Sequence, residues 1–102
     1  MKDITNQQWR DLTGNDEQAV IIDVRTDEEI SEGKIPGAMA ANVMEPPLFM
    51  EKVQELDKSK NYYVYCKSGG RSRQACAVLN YLGFENVYNL TDGFSNWDGD
   101  VE

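Results

Sequence analysis

The chain has 102 residues, 40% of them hydrophobic, with 18 acidic against 10 basic side chains and a formal net charge of −8. A chain of this length buries a core without metal or disulfide staples, since unaided folding becomes difficult only below ~40 residues, and residues 1–102 are expected to form one domain. The charge opposes nucleic acid and anionic membrane surfaces, and the absence of histidine removes Cys-His and Ser-His catalysis and imidazole-ligated metal sites. Neither a metal nor a cofactor is expected, and an anionic ligand must be captured by a local feature.

Apolar runs such as Ala19-Val20-Ile21-Ile22 fall far short of the ~18 residues of a membrane span, and residues 1–8 contain no apolar signal core. The expectation is a cytoplasmic protein whose two cysteines stay reduced. Nothing in the sequence indicates its oligomeric state.

Taken in chain order, Thr5 and Gln8 have the capping-box spacing, Trp9 and Leu12 share a face, and Gly14 supplies a stop, which predicts a first helix. Ala19 to Val24 is β-branched and apolar on both faces, as expected of a buried parallel strand. Thr26-Asp27-Glu28-Glu29 is a second capping box, followed by a short helix ending before Gly33. Ile35-Pro36-Gly37-Ala38 turns, Ala40 to Val43 forms a short strand, and Met44-Glu45-Pro46-Pro47 connects to a helix over Leu48 to Leu56. Tyr62 to Cys66 reads as a strand, Arg71 to Leu82 as a helix, Val87 to Leu90 as a strand, and Phe94 with Trp97 as a closing helical turn. The tyrosines at 62, 63, 65, 81 and 88 alternate with strand and helix core positions. Strands alternating with helices predict an α/β domain around a mainly parallel sheet.

The segment that carries chemistry is Cys66-Lys67-Ser68-Gly69-Gly70-Arg71-Ser72, between a strand and a helix, where ligands of open α/β sheets bind. Two adjacent glycines allow successive N–H groups to turn inward around an anion, and the helix start adds its positive end. Lys67, Arg71 and Arg73 concentrate positive charge in an acidic protein. Donors, helix end and cations together lower a cysteine pKa, so Cys66 is expected to be a thiolate at neutral pH without a histidine base. Cys76 lies beside Ala75 and Leu79 on the buried helix face and is expected to be a core residue, with a resolving role as the alternative. Asp23 and Arg25 end a buried strand on the ligand side of the sheet. They either orient the loop and contact substrate or form a structural ion pair. The acidic run Asp27 to Glu32 reads as a solvated helix face.

The sequence resembles the rhodanese family in its single-domain form. The resemblance rests on Ile21-Ile22-Asp23-Val24-Arg25 with Glu28-Glu29, on Gly33-Lys34-Ile35-Pro36-Gly37-Ala38, on Tyr65 to Ser72 running to Leu82-Gly83-Phe84, and on the closing stretch Leu90 to Trp97. It implies a rhodanese-like α/β fold with a five-stranded sheet flanked by helices. It also implies a sulfurtransferase in which Cys66 accepts a sulfane sulfur as a persulfide. The partners it implies are a small anionic sulfur donor, thiosulfate or a persulfide, and a thiol acceptor. Residues 67 to 72 are expected to bind substrate, with Arg71 attracting the anionic donor. Two positions depart from the family pattern: Lys34 stands where a histidine is common and Asp92 where a glycine is common. Lys34 is expected to be a solvated surface residue. The competing readings are a cysteine-dependent phosphatase or arsenate reductase, whose loops are longer by at least one residue, and a noncatalytic binding module on the same fold.

Overall fold

A computed structural model describes residues 1–102 as a five-stranded sheet with helices on both faces. The strands are β1 (Lys2–Ile4), β2 (Val20–Asp23), β3 (Met39–Ala40), β4 (Asn61–Tyr65) and β5 (Asn86–Leu90). The helices are α1 (Asn6–Gly14), α2 (Asp27–Ser31), α3 (Pro46–Gln54) and α4 (Gly70–Tyr81), and a 3-10 turn closes the chain at Phe94–Asn96. Every strand pairing is parallel and the order is β1-β5-β4-β2-β3. No helix is long and apolar enough to cross a membrane.

Both predicted capping boxes form. Thr5 accepts from the Gln8 N–H and Thr26 from the Glu29 N–H, with each partner side chain returning to the cap backbone. Such caps are worth ~1 kcal/mol apiece and fix where α1 and α2 begin. A parallel sheet must be covered on both faces, and two apolar clusters do this. Ile22, Val64, Cys66, Phe49, Val53, Ala75, Cys76 and Leu79 pack between the sheet and α3 and α4. On the opposite face, Trp9 meets Tyr63, Tyr65 and Trp97 edge-on with ring centroids 5.6, 5.9 and 6.3 Å away.

The structure adds to or departs from the sequence reading in four places. β1 was not legible, because Lys2-Asp3-Ile4 buries only Ile4 and pairs on one side only, with β5. The strand predicted over Ala40 to Val43 is Met39–Ala40, since only those residues reach register with β2, at Ile22 and Asp23. α3 starts at Pro46 rather than Leu48, because the first helical turn needs no N–H from proline. Leu12 and Tyr81 are exposed, leaving Trp9 as the buried anchor of α1.

The carboxyl end of β2 is tied down by a buried polar network. The Arg25 guanidinium donates to Asp23 Oδ2 at 2.8 Å and to the Gly33 carbonyl at 2.7 Å, and Tyr65 Oη donates to Asp23 Oδ2 at 2.6 Å. The same Tyr65 oxygen accepts the Ile35 N–H at 3.0 Å, and the Arg25 guanidinium lies 4.4 Å from the Phe94 ring centre. Burial and the neighbouring Asp23 carboxylate push the Tyr65 pKa well above its ordinary value, which keeps this hydroxyl a donor. Removing one partner of a buried pair leaves the other charge uncompensated. Arg25→Ala should therefore lower unfolding free energy by about 3–5 kcal/mol in denaturant titration. A loss under about 1 kcal/mol, the value of an exposed pair, would show that the network is not structural.

Candidate active site

After β4 the chain crosses over α4 to β5 on one side, whereas after β2 it crosses over α2 to β3 on the other. The crevice between the carboxyl ends of β2 and β4 is therefore the topological switch point of the sheet. Cys66 follows β4 immediately, and its neighbour Tyr65 is in register with Asp23 of β2. A cleft of about 330 Å³ opens there, lined by Arg25, Glu29, Glu32, Lys67, Phe94 and Ser95.

The Cys66 sulfur sits beneath the loop, and the residue is 1% exposed. Gly69 donates its backbone N–H to Sγ at 3.0 Å, and the Ser72 hydroxyl lies 3.4 Å from the same atom. The Ser72 hydroxyl also reaches the Gly69 carbonyl at 3.1 Å, so its single proton serves one acceptor at a time. Burial opposes the thiolate. The Ser72 hydroxyl and the N–H groups of Ser72, Ser68 and Gly69 outweigh it, and the Cys66 pKa lies below the ordinary thiol value. For Cys76 burial dominates: fully buried in α4, it is pushed up to about 12 despite the nearby N-terminal amine and Arg73. Both cysteines are free thiols.

The positive charge expected around the loop is largely compensated. Arg71 donates to both carboxylate oxygens of Glu29 at 2.7 and 2.9 Å, and Arg73 pairs with Asp3 at 3.2 Å. Lys67 is exposed and forms no ion pair. The Arg71 guanidinium holds the Glu29 carboxyl well below the usual range, at about 2, so this pair stays ionised at any physiological pH. Hydrogen-bond donors, more than cations, lower the Cys66 pKa, with the nearby Arg71 charge acting in the same direction.

Two close approaches fix the loop. Gly69 has φ +96°, and a Cβ there would lie 2.5 Å from the Thr91 carbonyl oxygen. Gly93 has φ +71°, and a Cβ there would collide with the Lys67 carbonyl. The closing segment also donates to the loop backbone, from the Phe94 N–H to the Cys66 carbonyl at 2.8 Å and from the Ser95 N–H to the Lys67 carbonyl at 3.0 Å. Asp92, which departs from the family pattern, sits just before the position that needs positive φ. Lys34 is not simply solvated: Nζ donates to the Ala38 carbonyl at 3.1 Å and pairs with Glu102 at 3.3 Å.

The structure thus brings Cys66, Ser68, Gly69 and Ser72 together around one sulfur, with Gly70 opening α4 and Lys67 on the rim of the cleft. Asp23 and Arg25 form the structural pair at the strand end, and Arg25 also lines the cleft. Glu29, Phe94 and Ser95 belong to stretches quoted from the sequence but were not among its candidate site residues. Glu29 stood out as a capping-box and family-motif residue, and its second partner lies 42 residues away.

A sequence match to the rhodanese-like domain spans residues 5–100. The chain belongs to the rhodanese-like family. YtwF of Bacillus subtilis, provisionally named a sulfurtransferase, is 37% identical over 102 residues, covering 100% of this chain and 95% of its own. The chloroplast thiosulfate sulfurtransferase 16 of Arabidopsis thaliana is 38% identical over 85 residues, covering 74% of this chain and 71% of its own. The crystal structure of a rhodanese-like domain protein from Staphylococcus aureus superposes with a TM-score of 0.86 at 30% identity, covering 100% of this chain and 97% of that one.

The two cysteines of this rhodanese-like domain should react very differently with a small alkylating agent. The thiolate is the reactive form, and its population rises with pH through the pKa. Cys66, with its pKa lowered, should be labelled already on the acid side of the ordinary thiol range, while Cys76, near 12, stays protonated there. Peptide mapping across a pH series should give a Cys66 preference that is widest at low pH and narrows towards high pH. Equal labelling in the folded protein contradicts the assignment.

Proposed function

We propose that this rhodanese-like protein is a sulfurtransferase in which Cys66 carries the sulfur. The observation that carries the reading is the convergence of the Gly69 N–H, the Ser72 hydroxyl and neighbouring loop N–H groups on a buried sulfur whose pKa is lowered without histidine. Names given to its relatives agree with it.

In the first half-reaction the Cys66 thiolate attacks the outer sulfur of the donor. A new S–S bond forms, the donor's own bond to that sulfur breaks, and sulfite or an organic thiolate leaves with the electron pair. In the second, an acceptor thiolate attacks the outer sulfur of the Cys66 persulfide, and Cys66 departs as the thiolate it was. No oxidant or reductant is consumed. The N–H groups of the loop and of the first turn of α4 are free of helical partners and stabilise the anionic outer sulfur.

The same geometry argues against a phosphatase. Cys66 is 1% exposed beneath a loop that spans only six residues from Cys66 to Arg71, shorter than the loops that surround a tetrahedral oxyanion in cysteine-dependent phosphatases. A noncatalytic binding module has no need to lower the pKa of a buried thiol.

Intact mass after exposure to thiosulfate or a persulfide tests the reading. The protein should gain one sulfur atom, lose it to an added thiol, and gain nothing as Cys66→Ser, while Cys76→Ser loads normally. Sulfur loading that survives Cys66→Ser, or phosphatase turnover with no persulfide, overturns it.

A further inference from the structure

Glu29 occupies the guanidinium expected to attract an anionic donor, that of Arg71. Both terminal nitrogens of Arg71 are bonded to its carboxylate at 2.7 and 2.9 Å, a bidentate pair of the strong kind. The carboxylate is not free to swing away, because Oε1 also accepts the Thr26 N–H and hydroxyl, each at 3.1 Å, at the start of α2. The other guanidinium of the cleft, Arg25, is neutralised by Asp23, and the lining adds a second carboxylate, Glu32, beside the exposed Lys67. A dianion entering this cleft meets a fixed carboxylate and no uncompensated guanidinium. An organic persulfide, whose leaving group is a thiolate and whose charge is smaller, avoids that repulsion.

We infer that Glu29 is a specificity-determining residue that disfavours thiosulfate and selects a low-charge organic persulfide as the donor to Cys66. The inference rests on the sulfurtransferase reading above. Its step is Cys66–S⁻ attacking the outer sulfur of R–S–SH, giving Cys66–S–SH and R–S⁻, with the proton retained on the transferred sulfur. Electrostatic exclusion of a wrong partner by a like charge is a general route to specificity.

Glu29→Gln is the informative variant. Glutamine still accepts from Thr26 and preserves the capping box, so the substitution removes charge while keeping the helix start. Loading of Cys66 is followed by intact mass with thiosulfate and, separately, with cysteine persulfide, each rate divided by that of the same donor with a small free thiol. In the wild-type protein the normalised ratio should favour cysteine persulfide. Glu29→Gln should shift it towards thiosulfate by about tenfold, with Cys66 alkylation little changed. A role of Glu29 confined to holding the loop predicts instead that both donors and alkylation fall together. Parallel losses, an unchanged ratio, or a wild-type ratio already favouring thiosulfate overturns the inference; the last result needs no variant and stands even where Glu29→Gln folds poorly. Failure of the underlying reading looks different, since neither donor then loads wild-type Cys66.

Discussion

The Gly69 N–H reaches the Cys66 sulfur at 3.0 Å only because the chain between them turns through a left-handed residue at the cap of α4. Any side chain at Gly69 would meet the Thr91 carbonyl, and any at Gly93 would meet that of Lys67. The loop after β4 and the segment after β5 therefore lie in backbone contact with no side chain between them. Both are held by donation from Phe94 and Ser95 to the carbonyls of Cys66 and Lys67. Turning those carbonyls towards the closing segment leaves the loop N–H groups facing inward. The anion cradle is thus a consequence of packing two sheet-edge loops without intervening atoms, and glycine is required wherever they touch.

This arrangement also explains how the chain dispenses with a base. A buried thiolate is costly, and long-range charge in an acidic protein does not offset that cost. Here the arginines near the loop are spent on other partners, Arg71 on Glu29, Arg73 on Asp3 and Arg25 on Asp23, and Lys67 stays exposed on the rim. Directed N–H and O–H groups remain. They act at hydrogen-bond range in a site shielded from solvent, where such contacts are stronger than in water. The buried Asp23–Arg25–Tyr65 network holds the end of β2 and the turn before Ile35 beside this loop, so the two sides of the crevice are braced independently.

Much of this was legible because the relevant signals are local. Two capping boxes, an apolar β-branched run and a strand-Cys-Gly-Gly-helix junction each need only a few consecutive residues, and each appears where expected. What escaped depends on partners far along the chain. β1 exists because β5 offers a free edge to Lys2–Ile4, although only Ile4 of those residues is buried. Glu29 looked like a member of a solvated acidic face, and its bond to Arg71 could not be read from either segment alone. Of the concentrated cations Lys67, Arg71 and Arg73, only Lys67 remains free charge, because composition gives no information about which carboxylates fold against Arg71 and Arg73.

The central claim is that hydrogen-bond donors, more than neighbouring positive charges, lower the Cys66 pKa. Salt separates the two causes, since exposed charges are screened over ~10 Å at 0.1 M ionic strength and contacts at hydrogen-bond range inside a buried site are not. The direct measurement is an ultraviolet thiolate titration of the Cys76→Ser protein, performed from low to high ionic strength and repeated with Ser72→Ala. The account predicts a midpoint below the ordinary thiol value that is nearly insensitive to salt and rises when the Ser72 hydroxyl is removed. A midpoint that climbs towards the ordinary value with added salt, and is unmoved by Ser72→Ala, would contradict it.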